Sequence, residues 1–253
     1  MFRNAHYDVN VKNQKSYHSK RVGAMTITSD GHEVTIVTAR LKITSLNQHD
    51  SVYLKLKYTH LFTQPNNVAL YRKGSVWSDE EIDESIQIEQ APWNTSKQFG
   101  DLIIEEIQSG EFVGVLSITY RPNEYSQLGI GHPMVAEIGY ILEESFWGKG
   151  YGTEAAIAAK KYIKHMLASS FLDEAEMPVR EIVATVHPNN AGSNAILSKT
   201  LKRKEPEAFE RYGSIRMFYY KPLKMNRIIV DEQAIVDSSV LTTTHTSSFT
   251  NLG

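Results

Sequence analysis

The stretch AEIGYILEESFWGKGYGTEA, Ala136–Ala155, decides the fold. Together with Val135 its first residues form an apolar run that predicts a strand over Val135–Leu142. Behind it, from Thr153 to Leu167, the positions Ala156, Ala159, Ile163 and Met166 recur at helical spacing and predict an amphipathic helix. Between strand and helix stands Phe146-Trp147-Gly148-Lys149-Gly150-Tyr151-Gly152-Thr153. Alternating glycines let the backbone turn with no Cβ in the way, so several N–H groups can point into one concavity. The helix that begins there adds roughly half a positive charge at its N-terminus. Strand, glycine turn and helix in this order suit a pyrophosphate.

The plain alternative is a Gly-rich connection without a ligand. Two better-known phosphate motifs do not apply. No Gly-Lys-Ser/Thr follows at Walker spacing. The dinucleotide fingerprint fails as well, because Thr153 stands where its last Gly should be and the turn comes late in the chain.

Outward from this stretch the pattern alternates between strands and helices. Upstream, Asp30-Gly31 between Ala24–Ser29 and His32–Val37 predicts a hairpin with a tight primed turn. A strand at Arg40–Thr44 follows, then a helix capped by Asn47 or Asp50 and running to about Leu61. Ser78-Asp79-Glu80-Glu81 has capping-box spacing and predicts a helix over residues 79–90. Phe99–Ile107 and Glu111–Tyr120 read as a hairpin of longer strands, and 121–133 as a loop. Downstream, Val179–His187 predicts a strand, 190–199 a helix and Met217–Lys221 a last strand. Residues 1–20 read as a polar, loosely ordered lead-in, and the Ser/Thr-rich end as a disordered tail. The fold class is mixed α/β.

Composition narrows the function. The chain has 253 residues, 41% hydrophobic and 22% charged, which suits a globular domain with an ample core. A formal net charge of −2 supplies no overall basic field for nucleic acid. With no Cys, disulfides, thiolate metal sites and a Cys acyl-enzyme are excluded. The His residues show no ligand spacing, so no metal is expected. No signal-peptide pattern and no apolar run of about 18 residues is present, which leads to the expectation of a cytoplasmic protein without a membrane partner. The sequon at Asn94-Thr95-Ser96 is discounted on the same ground. No Ser sits in a G-x-S-x-G elbow, which removes the usual hydrolase reading.

Residues 136–155 resemble the acetyl-CoA-binding segment of GNAT superfamily N-acetyltransferases, especially the Rim-type enzymes that acetylate ribosomal-protein N-termini. Gly150 and Gly152 match the family pattern Gln/Arg-x-x-Gly-x-Gly/Ala, with Trp147 in place of the first polar residue. His187-Pro188-Asn189-Asn190-Ala191-Gly192-Ser193-Asn194-Ala195-Ile196-Leu197-Ser198-Lys199 is similar to the family's second segment, and Thr38–Ile43 looks like its opening strand. The resemblance covers about residues 36–223. It implies a central mixed, mostly antiparallel twisted sheet flanked by helices. Residues 1–35 would add an N-terminal extension with a β-hairpin, and 224–253 a tail.

The same resemblance implies acetyl transfer from acetyl-CoA to a primary amine, by direct attack in a ternary complex. The acceptor would be a protein N-terminus or a small amine, and a homodimer is left open. Tyr140, Ile141 and Leu142 would pair with the pantetheine arm. Trp147, Gly148, Lys149, Gly150, Tyr151, Gly152 and Thr153 would hold the pyrophosphate, and Asn190 the arm. Asn190 reads equally as a helix cap after Pro188.

An amine must lose a proton before it attacks. Glu137 is the candidate base, on the same strand face as Gly139, and a solvated strand carboxylate is the plain reading. A backbone N–H near Ile141 would steady the oxyanion. The family's usual acid is a Tyr, and Leu197 stands at that position. Ser193 takes the role by resemblance to a Rim-type Ser, with Tyr219 and Tyr220 as weaker options that fit packing better. The Lys202-Arg203-Lys204 cluster reads mainly as a solvated face. A non-catalytic acyl-CoA-binding module and a nucleotide site at the same turn are the rival readings.

Overall fold

Strand pairing follows the chain in order from its N-terminal side. The computed structural model describes residues 13–95, 99–122, 134–168, 179–203 and 209–223. Strands β1 (Asn13–Ser19), β2 (Gly23–Ser29), β3 (Val34–Val37), β4 (Leu41–Ser45), β5 (Gly100–Glu106), β6 (Phe112–Pro122) and β7 (Met134–Leu142) pair antiparallel, each with the next. Strand β8 (Glu181–Val186) joins β7 in the one parallel pairing among the described residues. Short strands β9 (Lys202–Arg203) and β10 (Phe209–Arg211) both pair with β11 (Ser214–Pro222), which runs antiparallel to β8. The result is a single mixed, mostly antiparallel sheet.

Helices cover both faces. The first is α1 (Ser51–Phe62), capped by Asp50, whose side chain accepts from the Tyr53 amide. After the single turn α2 (Pro65–Val68) comes α3 (Asp79–Asn94), which opens on the expected capping box: Ser78 and Glu81 exchange side chain and backbone hydrogen bonds. Tyr53 of α1 donates to Glu105. The adjacent Glu106 instead accepts from Tyr151 of α4 (Tyr151–Ala168). Successive strand residues point to opposite faces, so α1 and α4 lie on opposite sides of β5. Helix α5 (Ala191–Thr200) packs beside α4. Apolar residues from both layers meet in one large core that includes Ile36, Ile43, Leu102, Ile104, Tyr162 and Trp93.

Three local expectations are corrected. Residues 13–19 belong to a strand rather than to a loose lead-in, since every residue of β1 pairs along β2 and Tyr17 donates or accepts with His165 of α4 at 3.0 Å. Polar side chains suit an edge strand, whose outer face meets water. The connection at Asp30-Gly31 is also wider than a primed two-residue turn. Ser29 pairs with Val34, and the Asp30 carboxylate accepts from the amides of His32 and Glu33 at 3.0 and 2.8 Å. That Asx turn keeps Asp30 out of the left-handed region, which Gly31 alone occupies there (φ 96°). Of the loop expected at 121–133, Arg121 and Pro122 instead extend β6 by pairing with Val135 and Met134; 123–133 and the tail 224–253 lie outside the described residues.

Candidate functional site

The parallel partners β7 and β8 stay together only briefly. Val135, Ala136 and Glu137 pair with Glu181, Ile182 and Val183, and beyond that point the strands part. The hydrogen bond from Glu143 N to Val113 O fixes the alternation along β7. Odd residues such as Gly139 and Ile141 turn their main-chain groups to β6. Tyr140 and Leu142 turn theirs to the side that β8 has left. Ile141 therefore offers its N–H to the β6 ladder, and the N–H groups of Tyr140 and Leu142 face the opening.

At the wide end of this opening lies the glycine turn. Trp147 Nε1 donates to Leu142 O at 2.8 Å, which ties the turn to the strand that feeds it. Gly150 has φ +86°, a conformation that a side chain resists. At Gly152 a Cβ would stand 2.9 Å from Ile196 Cδ1 on α5, so the end of that side chain would have to shift. The first main-chain bond of α4 runs from Glu154 N to Gly150 O. Among the described residues none of the amides from Gly148 to Thr153 meets a protein acceptor, so the turn presents them together at a helix N-terminus.

Arg40 and Glu154 brace the turn from beneath. Glu154 is buried and takes Arg40 Nε and Nη2 at 2.8 and 2.7 Å, the Arg40 amide at 3.1 Å and the Thr38 hydroxyl at 2.6 Å. Arg40 Nη1 reaches Lys149 O at 2.8 Å, and the guanidinium lies over the Tyr151 ring.

One cavity of about 770 Å³ gathers most of the residues singled out from the sequence. Glu137, Tyr140, Ile141, Leu142, Trp147, Gly148, Gly150, Tyr151, Gly152, Thr153, Asn190 and Ser193 all line it. Lys149 does not: its carbonyl is held by Arg40 and its ammonium lies over the Phe146 ring. Asn190 caps α5 through Oδ1, which accepts from Ser193 N at 2.9 Å. Its Nδ2 meets no protein acceptor among the described residues. Among the described residues the buried Tyr140 hydroxyl has no hydrogen-bond partner, and burial raises its pKa above the ordinary phenol value. The Ser193 hydroxyl opposes that rise in part. The Tyr219 hydroxyl is committed to Asn194 Oδ1 at 2.9 Å, and Tyr220 stacks on Phe218, so both are packing residues.

Glu137 sits on the opposite face of β7 from Tyr140. Arg211 of β10 grips it through Nη1 at 2.8 Å and Nη2 at 3.2 Å, and both side chains are largely buried. Sequence reasoning did not find this arginine, nor Tyr71, Arg72, Tyr212 and Arg216, which wall the same end of the cavity. One signal was available. Tyr212-Gly213 sits between strand-like runs, and both residues take positive φ (56° and 70°) in a two-residue turn between Arg211 and Ser214.

Among the described residues no helix is long and apolar enough to cross a membrane, and no His/Cys/Asp/Glu cluster could hold a metal ion.

Comparison with known proteins gives one family and a set of folds. The acetyltransferase (GNAT) domain model matches residues 40–200. Among solved structures, the chain is similar to an acetyltransferase of the GNAT family from Bacillus anthracis (18% identity, 75% of this chain and 97% of that one, TM-score 0.53). It is similar to an acetyltransferase from Agrobacterium tumefaciens (20% identity, 74% and 93%, TM-score 0.53). A third is RimL, the ribosomal L7/L12 alpha-N-protein acetyltransferase in complex with coenzyme A (17% identity, 74% and 96%, TM-score 0.50). At these identities the structures show the fold.

Proposed function

Because the chain belongs to the GNAT acetyltransferase family and acetyl-CoA is therefore its acyl donor, we propose that it acetylates a primary amine bound beside Glu137. The acceptor would be a protein N-terminus, as the RimL likeness suggests, or a small amine. One observation carries the reading: the opening between β7 and β8 leads without interruption to a cluster of unengaged amides at the start of α4.

The residues present fit the donor. Amides of Gly148, Gly150, Tyr151, Gly152 and Thr153 would take the pyrophosphate, a role in which Lys149 would contribute its backbone alone. Main-chain groups of Tyr140 and the Leu142 N–H would pair with the pantetheine arm, while Leu142 O stays with Trp147, and Asn190 would add its Nδ2. Acetyl-CoA, when bound, supplies a thioester whose acetyl group an unprotonated amine can take.

The chain's part is positioning and proton handling. Glu137 would draw the ammonium of the acceptor into the cavity and receive its proton at a carboxylate oxygen. Arg211 fixes the rotamer of that carboxylate and shares its charge. Amides of Tyr140 and Leu142 would steady negative charge on oxygen, a contribution of about 3 kcal/mol per well-placed donor. Hydroxyls of Ser193 and Tyr140, on the other face, hold protons for the departing sulfur. Tyr140, like any phenol, is protonated at neutral pH, and burial raises its pKa further.

The test is thiol release from acetyl-CoA against a panel of amines and N-terminal peptides, with the acetylated product confirmed by mass. Tight coenzyme A binding with no release for any acceptor would sink the reading.

A further inference from the structure

Arg216 of β11 is a buried cation with no carboxylate at ion-pair distance among the described residues. Its side chain is 4% exposed and lines the cavity with Glu137. Nη1 donates to Leu70 O at 3.2 Å and Nη2 to Arg72 O, which fixes the planar group. Tyr212 offers its ring face to the guanidinium at 5.4 Å. The Nε–H is buried and meets no acceptor among the described residues.

The neighbouring charges do not neutralise it. Glu137 is taken by Arg211 at 2.8 Å, and Glu89 pairs with Arg72 at 3.7 Å. Among the described residues Arg216 forms no ion pair. Carbonyl oxygens satisfy donors but bring no opposite charge, and burying an unpaired ion is costly. Burial lowers the pKa of this guanidinium from its ordinary value, which registers the same cost.

An anion entering the cavity that Arg216 lines would supply the missing charge. We propose that Arg216 receives a carboxylate of the acceptor, so that the amine acetylated here belongs to a molecule carrying a carboxylate close to its amino group. The source is the α-carboxylate of an amino acid or an acidic side chain next to a peptide N-terminus. This rests on the acyl-transfer reading above. Guanidinium suits the task, since it presents donors in a plane that matches a carboxylate. A polyamine is disfavoured by the same geometry, because Arg72 and Arg211 are paired with carboxylates and Arg216 leaves this end of the cavity one uncompensated positive charge.

A plain structural role for Arg216, strapping the Leu70–Arg72 segment to the β11 edge, predicts no dependence on acceptor charge. Matched acceptors separate the two. Glutamate is compared with its α-amide, the peptide amide Ser-Asp-Ala with Ser-Asn-Ala, and putrescine serves as the cationic control. In the native chain the carboxylate member of at least one pair should show kcat/KM about tenfold or more above its partner. The pair that responds identifies the source. Arg216→Gln should bring that ratio to about one, and Arg216→Lys should keep part of it. Turnover of the neutral members or of putrescine with no preference for carboxylate overturns the proposal and leaves acyl transfer standing. So does a preference that survives Arg216→Gln. Coenzyme A binding without turnover of any acceptor overturns both. The native-chain comparison decides the matter even where a variant fails to fold.

Discussion

Glu154 on the first turn of α4 takes Arg40 Nε and Nη2 on one carboxylate oxygen, at 2.8 and 2.7 Å, and so fastens the glycine turn to the start of β4. Its other oxygen holds the Arg40 amide and the Thr38 hydroxyl. Glu154→Ala strands these donors beneath the turn. Unfolding stability should fall by about 3 kcal/mol, read from the denaturant midpoint. Coenzyme A affinity should weaken in the same variant, measured by calorimetry, because Arg40 Nη1 would no longer hold Lys149 O in place. A variant with native stability and affinity would show that the brace does nothing.

Gly150 holds φ +86° at the mouth of the cavity. A valine there meets backbone strain of about 1–3 kcal/mol and sets its Cβ 3.3 Å from Arg40 Nη2, against the brace that holds the turn. Coenzyme A should lose its stabilising effect in a thermal-shift assay of Gly150→Val. Unchanged affinity would remove the amides of this turn from the cofactor site.

How far the sequence carried this picture differs from place to place. The glycine turn was legible because strand, glycines and helix are contiguous, so local geometry needed nothing from elsewhere. The capping box at Ser78 and Glu81 was legible for the same reason. The strand β1 was not, because Asn13–Ser19 has no period of its own and is made a strand by pairing with β2 and by Tyr17 reaching His165, 148 positions away. At the acceptor end, Glu137 could be placed by strand alternation, while Arg211 and Arg216 arrive through the β10–β11 hairpin and the β8–β11 register. Those are long-range pairings that no local pattern encodes.

The Tyr17–His165 contact gives the fold a pH dependence. Burial lowers the His165 pKa from the ordinary value, the Lys15 charge adding to the effect. The folded chain therefore binds the His165 proton less readily than the unfolded chain. Stability should be independent of this group above the unfolded value of about 6.5 and fall as pH drops below it, until the folded form protonates too. Urea midpoints at pH 7.5 and 5.5, read as a difference between native chain and His165→Gln, isolate this group. The variant should lose less stability on acidification. An equal loss in both would assign the acid sensitivity elsewhere.

Glu137→Gln asks whether the cavity's carboxylate acts as a base or only as a partner for Arg211. The amide keeps the size of the side chain and a hydrogen-bonding oxygen for Arg211, but it neither holds charge nor accepts a proton usefully. Coenzyme A affinity should be unchanged, because the amides at 148–153 belong to a different part of the cavity. If Glu137 takes the acceptor's proton, kcat should fall by about a hundredfold or more at neutral pH. Raising the pH should then recover part of the loss, since an amine already deprotonated in solution no longer needs the carboxylate. A purely structural Glu137 would give a different signature, with weakened stability and a rate deficit that pH does not repair. The slope of the rate against pH, compared between the native chain and the variant, decides between them.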